Sequence, residues 1–125
     1  MAEAITKPLP AEVIEHTKHH ILDTLAAIVS GTELPPGKVA LDFARMYSDK
    51  ACTVPGSSLL AGPIEAAFVN AMLAHADETD DSHAPSQSHP GCAVVPAALA
   101  VAEQLGIDGT SLMRAVACGY DIGTR

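Results

Sequence analysis

Residues 63–106 read PIEAAFVNAMLAHADETDDSHAPSQSHPGCAVVPAALAVAEQLG, two apolar runs separated by a polar stretch, and this pattern decides the fold. The first run, opened by Gly62 and Pro63, is apolar nearly all round. Only Glu65 near its start, where the helix dipole favours an anion, and Asn70 in its middle interrupt it. Helices of this type are interior ones, so Asn70 needs a hydrogen-bond partner; an unpaired buried amide costs about 1–3 kcal/mol. A cross-link to a neighbouring loop or a ligand contact would each supply one. The second run starts at Pro90, closes at Gly106 and contains Pro96, which is expected to kink it.

Working towards the N-terminus, CTVPGSSLL at 52–60 carries a Pro-Gly turn and predicts loop with at most one short strand. A short helix is predicted from Lys38 to Tyr47, with Val39, Phe43 and Tyr47 on one side, and TELPPG before it has linker chemistry. Ahead of that, Pro10 can open a helix in which Val13, Ile14, Thr17, Ile21, Leu22, Leu25, Ile28 and Val29 recur at helical steps until Gly31. Glu12, Glu15, Lys18 and His19 form its solvated face, and His16, His19 and His20 are expected at the surface or its boundary rather than as metal ligands. Towards the C-terminus, Asp108 is placed to cap a last helix whose Leu112, Val116 and Tyr120 form an apolar row. The fold class is therefore all-α, a bundle of about five helices. Its third and fourth helices carry more apolar surface than so small a bundle hides, which implies covering mass from more polypeptide or a partner subunit.

Bulk properties narrow the function classes. The 125 residues suit one domain or part of one, 48% of them are apolar, there is no Trp, and the net charge is -8. That charge, with seven scattered cations, excludes nucleic acid and anionic membrane surfaces as natural partners. Cys52, Cys92 and Cys118 are an odd number in apolar context, as expected of reduced thiols. MAEAITKPLP has no export or transit pattern, and no apolar run spans a bilayer, so a soluble, cytoplasmic protein is expected.

Chemistry is concentrated in the polar stretch from His75 to Gly91, with three histidines, four carboxylates and three serines. His89 precedes a helix whose free amides and positive dipole end disfavour an imidazolium, which suits proton transfer on a carboxylate-bearing substrate; it could equally cap that helix or pack on Pro90. Asp77, Glu78, Asp80 and Asp81 repel one another unless cations, a metal or shared protons intervene, and half-buried they would include a carboxyl of raised pKa. His75, Asp77, Asp80, Asp81, His83 and His89 offer enough donors for a metal, although their spacing matches no standard motif. A serine hydrolase lacks its GxSxG element here.

The stretch LAHADETDDSHAPSQSHPGCAVVPAALA resembles the MmgE/PrpD family, which includes 2-methylcitrate dehydratase and cis-aconitate decarboxylase, and HHILDTLAAIVSG and LMRAVACGYDIGTR also look like family helices. Family members often read HALDFDDTH followed by HP. Against this, His75, Asp80, Asp81 and His83 match directly, Glu78 takes the first acidic position, Ser82 takes that of Thr, and His89 is the His of the HP pair. Glu78 lengthens a carboxyl by one methylene, Ser82 lacks a methyl, and Asp77 replaces a Leu.

The resemblance implies a large helical domain with a smaller α/β lid, usually dimeric, with the active site between domains; residues 1–125 would be the first part of the helical domain. It further implies a lyase that dehydrates or decarboxylates a small di- or tricarboxylic acid, without redox cofactor or obligatory metal. His89 is then the expected proton-transfer group, with Glu78 and Asp81 as catalytic carboxylates and Ser82, Asp77 and His83 as substrate-binding residues. From His75 to Gly91 there is no Lys or Arg, so the cations that clamp the acid must come from elsewhere. The rival expectations are a metal-binding or metalloenzyme helical domain using the same loop, and a non-catalytic helical interaction module.

Overall fold

The computed structural model describes residues 7–125; residues 1–6, part of the segment in which no export signal is expected, lie outside them. The elements run α1 (Ala11–Gly31), α2 (Pro35–Met46), β1 (Ser48–Thr53), β2 (Leu60–Ala61), α3 (Pro63–Ala74), α4 (Pro90–Leu105) and α5 (Gly109–Gly123). The fold is all-α, as the apolar periodicity predicts, with a minor antiparallel hairpin.

Proline sets the starts of α2, α3 and α4, where Pro35, Pro63 and Pro90 occupy the first turn and their missing N–H costs nothing. For this reason α2 begins at Pro35 and not at Lys38: the two prolines of LPPG open the helix instead of linking to it. Asp108 caps α5 by accepting a hydrogen bond from the Ser111 N–H at 2.9 Å. Gly106 ends α4 in the left-handed region, φ 63°, and the Ile107 N–H closes back on the Ala102 carbonyl at 2.9 Å. Pro96 does not interrupt α4, which runs through it.

At the centre lies α3, packed by α1, α2 and α4. Ile28, Val54, Val69 and Leu73 are fully buried there among alanines 40, 44, 66, 74 and 100. Small residues let the backbones touch: a methyl added at Gly31 would stand 2.0 Å from the Leu73 carbonyl oxygen. The end of α1 thus lies directly on the end of α3, where the polar loop leaves the bundle.

Two expectations change. Residues 48–61 form two strands rather than at most one, with Cys52 paired to Ala61 and Thr53 to Leu60 across a turn in which Gly56 has φ 79°. Tertiary partners stabilise this pairing: the Thr53 N–H donates to Glu103 of α4 at 2.9 Å, and its carbonyl accepts from Asn70 Nδ2 of α3 at 3.0 Å. Asn70 is therefore the cross-link to a neighbouring segment, its Oδ1 lacking a partner among the described residues. Nor is α3 buried all round, for Ile64, Phe68 and Met72 form an exposed stripe at four-residue steps. Among the described residues no helix is long and apolar enough to cross a membrane.

Candidate active site

The loop between α3 and α4 sends two consecutive carboxylates in different directions. Asp80 turns to the two helix ends that flank the loop, and Asp81 turns to α1 and α5. Its backbone is held locally: the Glu78 N–H donates to the His75 carbonyl, Glu78 itself sits at φ 57°, and His83 and Ser88 pair as an isolated bridge whose turn holds Gln87 at φ 51°. Such conformations cost non-glycine residues of order 1–3 kcal/mol and persist only where the surroundings impose them.

The Asp80 side chain is 0% exposed. His75, at the C-cap of α3, directs Nδ1 at both its carboxylate oxygens, 3.1 and 3.3 Å away. His89, at the N-cap of α4, brings Nδ1 to 3.5 Å from Asp80 Oδ1. That nitrogen is buried and makes no hydrogen bond of good geometry with any described residue. The two rings meet edge to face, centroids 5.1 Å apart, while their side chains remain 44% (His75) and 37% (His89) exposed. A buried carboxylate facing two half-open imidazoles is an arrangement for holding and orienting bases.

Asp81 is tied on three sides. Its Oδ1 accepts the Gly91 N–H at 2.9 Å, its Oδ2 accepts the Tyr120 hydroxyl at 2.6 Å, and His20 Nδ1 lies 3.2 Å from Oδ2. His20 also stacks on Tyr120 at 4.1 Å. Burial, and then the hydrogen bond and charge of Asp81, push the Tyr120 phenol well above its ordinary value. Glycine at 91 makes room for this cluster: an added methyl would lie 2.6 Å from Asp81 Oδ1 and 2.8 Å from both Thr24 Oγ1 and the Tyr120 hydroxyl oxygen, and would push them apart. The Gly91 amide expected to face an incoming anion at the start of α4 is thus already occupied by Asp81.

The other predicted residues divide. Glu78 and Ser82 are exposed, and their side chains make no hydrogen bond with described residues. Asp77 closes a local turn, accepting from the Thr79 N–H at 3.2 Å and hydroxyl at 2.7 Å; these bonds hold its carboxyl below the ordinary value, opposite to the rise expected of a half-buried acid. His83 Nδ1 lies 2.8 Å from Ser86 Oγ and accepts the Ser86 N–H, so it belongs to the 83–88 turn. An open concavity of about 580 Å³ borders the loop on the Asp81 side, lined by His19, His20, Asp23, Thr79 and Asp81 among others.

Sequence alone misses Asp80 as the hub, His75 as its closest partner, and the engagement of His20 and Tyr120. One signal was available: His75 and His89 border the loop symmetrically, at the end of one apolar helix and the start of the next. Cys92 donates to the His89 carbonyl at 3.1 Å, and burial followed by the hydrogen bond and charge of Asp80 push its thiol up to about 11, which disfavours the thiolate that a nucleophile needs. For a metal, His75, Asp80 and His89 each offer one donor atom within 4.8 Å of the others, a set with the composition of a catalytic site that keeps open positions.

Comparison with known proteins gives concordant matches. The MmgE/PrpD N-terminal domain matches residues 1–125. Cis-aconitate decarboxylase of Aspergillus terreus is 30% identical over 96% of this chain and 26% of its own length. Cis-aconitate decarboxylase of Homo sapiens is 34% identical over 94% of the chain and 25% of its own length, and that of Mus musculus is 30% identical over 90% and 24%. The chain therefore spans about a quarter of the curated relatives it matches. No solved structure matches it.

Proposed function

Because this chain belongs to the MmgE/PrpD family, we propose that it forms the first part of the helical domain of a lyase. The substrate is a small di- or tricarboxylic acid, and the reaction is loss of water or carbon dioxide by proton transfer at a carbon next to a carboxylate. The observation that carries this is His89, half-open at the head of α4 with its buried nitrogen directed at Asp80. In dehydration the imidazole takes the proton from carbon as the C–O bond at the adjacent carbon breaks, and the departing hydroxide takes a proton from a second, acidic group to leave as water. In decarboxylation the electrons of the breaking C–C bond return to carbon, which the imidazolium protonates. Glu78 and Ser82, exposed and uncommitted in the same loop, are assigned to the substrate. Asp81, with three partners, is assigned to holding the loop.

Cations to clamp the acid, an α/β lid and a second copy in a cytoplasmic homodimer complete the proposal. The absence of Lys and Arg from the loop and the exposed stripe Ile64, Phe68, Met72 support a site and a core finished by further protein. The test is an assay of the full-length protein on citrate-like acids. His89→Gln is expected to lower turnover by about 10²-fold or more, and normal turnover would discard the assignment.

The convergence of His75, Asp80 and His89 favours one rival, a metalloenzyme using these three as ligands. Elemental analysis of the full-length protein followed by chelation separates the two. A stoichiometric metal whose removal abolishes turnover selects the rival.

A further inference from the structure

We infer that Asp80 is the positioning residue of this site, holding His75 and His89 so that both imidazoles present Nε2 to the bound acid. The inference rests on the proposed role of His89 and adds a second imidazole and the group that aligns the pair.

The argument begins with the cost of burial. An ionised carboxylate removed from water is tolerated only when donors surround it. Among the described residues, Asp80 finds the Nδ1 atoms of His75 and His89, with the Cys92 thiol beside them, and no Lys or Arg. A carboxylate only accepts, so His75 must carry its proton on Nδ1, and its other ring nitrogen is left as the basic one. For His89 the same conclusion follows from burial: Nδ1 is the enclosed atom and the ring is 37% exposed, so its open edge is the one bearing Nε2.

Position in the chain makes the pair useful. His75 ends α3 and His89 starts α4, both rigid elements, and the one carboxylate between them fixes the spacing of the rings at 5.1 Å. Elimination of water needs a base at carbon and an acid at the departing hydroxyl. Two imidazoles held side by side provide both when one of them carries a second proton on Nε2: the neutral ring takes the proton from carbon and the imidazolium gives its own to the departing hydroxyl.

The experiment uses the full-length protein and compares Asp80→Asn, His75→Gln and His89→Gln, alongside nitrogen-15 NMR of the imidazoles. Asp80→Asn is expected to lower kcat by about 10²-fold with KM nearly unchanged, since the neutral amide holds the His75 Nδ1–H more weakly and offers no negative charge to either ring. His75→Gln, at a half-exposed helix end, should fold normally and also lower kcat. In the wild type, His75 should show a protonated Nδ1, lost in Asp80→Asn, and Asp80→Glu should restore part of kcat. A wild-type His75 protonated on Nε2 alone overturns the inference even if Asp80→Asn does not fold, and so does an Asp80→Asn enzyme with normal kcat and unchanged ring signals. Full activity of His89→Gln instead removes the proposed function and leaves the NMR result to judge Asp80.

Discussion

Asp80 and Asp81 are neighbours in sequence and opposites in environment. Asp81 is satisfied: two full hydrogen bonds and a nearby imidazole connect it to α1, α4 and α5, and glycine at 91 gives it the room to do so. Asp80 is more deeply buried yet less completely paired, with one imidazole bonded to it and another turned towards it without a proper bond. Closed networks confer stability and open ones retain capacity for chemistry, and under the proposed function the loop separates these two tasks onto adjacent carboxylates.

The strongest way to break this comparison is Gly91→Ala. A methyl there meets three oxygen atoms within 2.8 Å. It should destabilise the protein by about 2–3 kcal/mol, read as the shift of the urea midpoint. An alanine variant as stable as the wild type would mean that Asp81 is no fixed anchor.

Tyr120→Phe sharpens the comparison more gently. Loss of one hydrogen bond to a carboxylate should cost about 1.5–3 kcal/mol of stability while leaving turnover at the wild-type value. A fall in kcat without a fall in stability would move Asp81 back among the catalytic groups. The same residue sets a pH dependence. Its pKa is raised in the folded state, so the unfolded phenol, ionising near its ordinary value of 10.0, loses its proton first as alkali is added. Tyr120 therefore contributes its full stability below that pH and progressively less above it, and Tyr120→Phe should flatten the alkaline decline in unfolding free energy.

The smallest effect concerns the Asp80 side. With its thiol pushed up to about 11, Cys92 should resist iodoacetamide at pH 8 in the native protein and react readily in urea. Rapid native labelling would show the Asp80 pocket to be more open than described.

Much of the bundle was legible because its signals are local. Proline before an apolar run, Asp108 before α5 and Gly106 after α4 each act through their own backbone neighbours. The LPPG segment misleads because the same prolines serve a linker or a first helical turn, and only the packing of α2 on α3 selects between them. The loop stood out as the candidate place of chemistry from its composition, and His89 as a candidate from its position before Pro90. The division between Asp80 and Asp81 was not recognisable. In irregular backbone the direction of a side chain depends on individual torsions, such as the positive φ of Glu78, and the partners that draw Asp81 away, His20 and Tyr120, come from helices distant in sequence. Each of those two reads by itself as an ordinary member of an amphipathic helix.

The Asp81 bond to the first turn of α4 has a wider consequence. A helix start that already holds an internal counter-ion has little attraction left for a second one. Under the proposed function, a polyanionic substrate would then be discriminated by charges supplied from other parts of the protein, and this helix start would add little to its binding. Changes of preference that rest on substrate charge should then map outside the first turn of α4, and exchanging that turn between related enzymes should transfer rate more readily than charge selectivity.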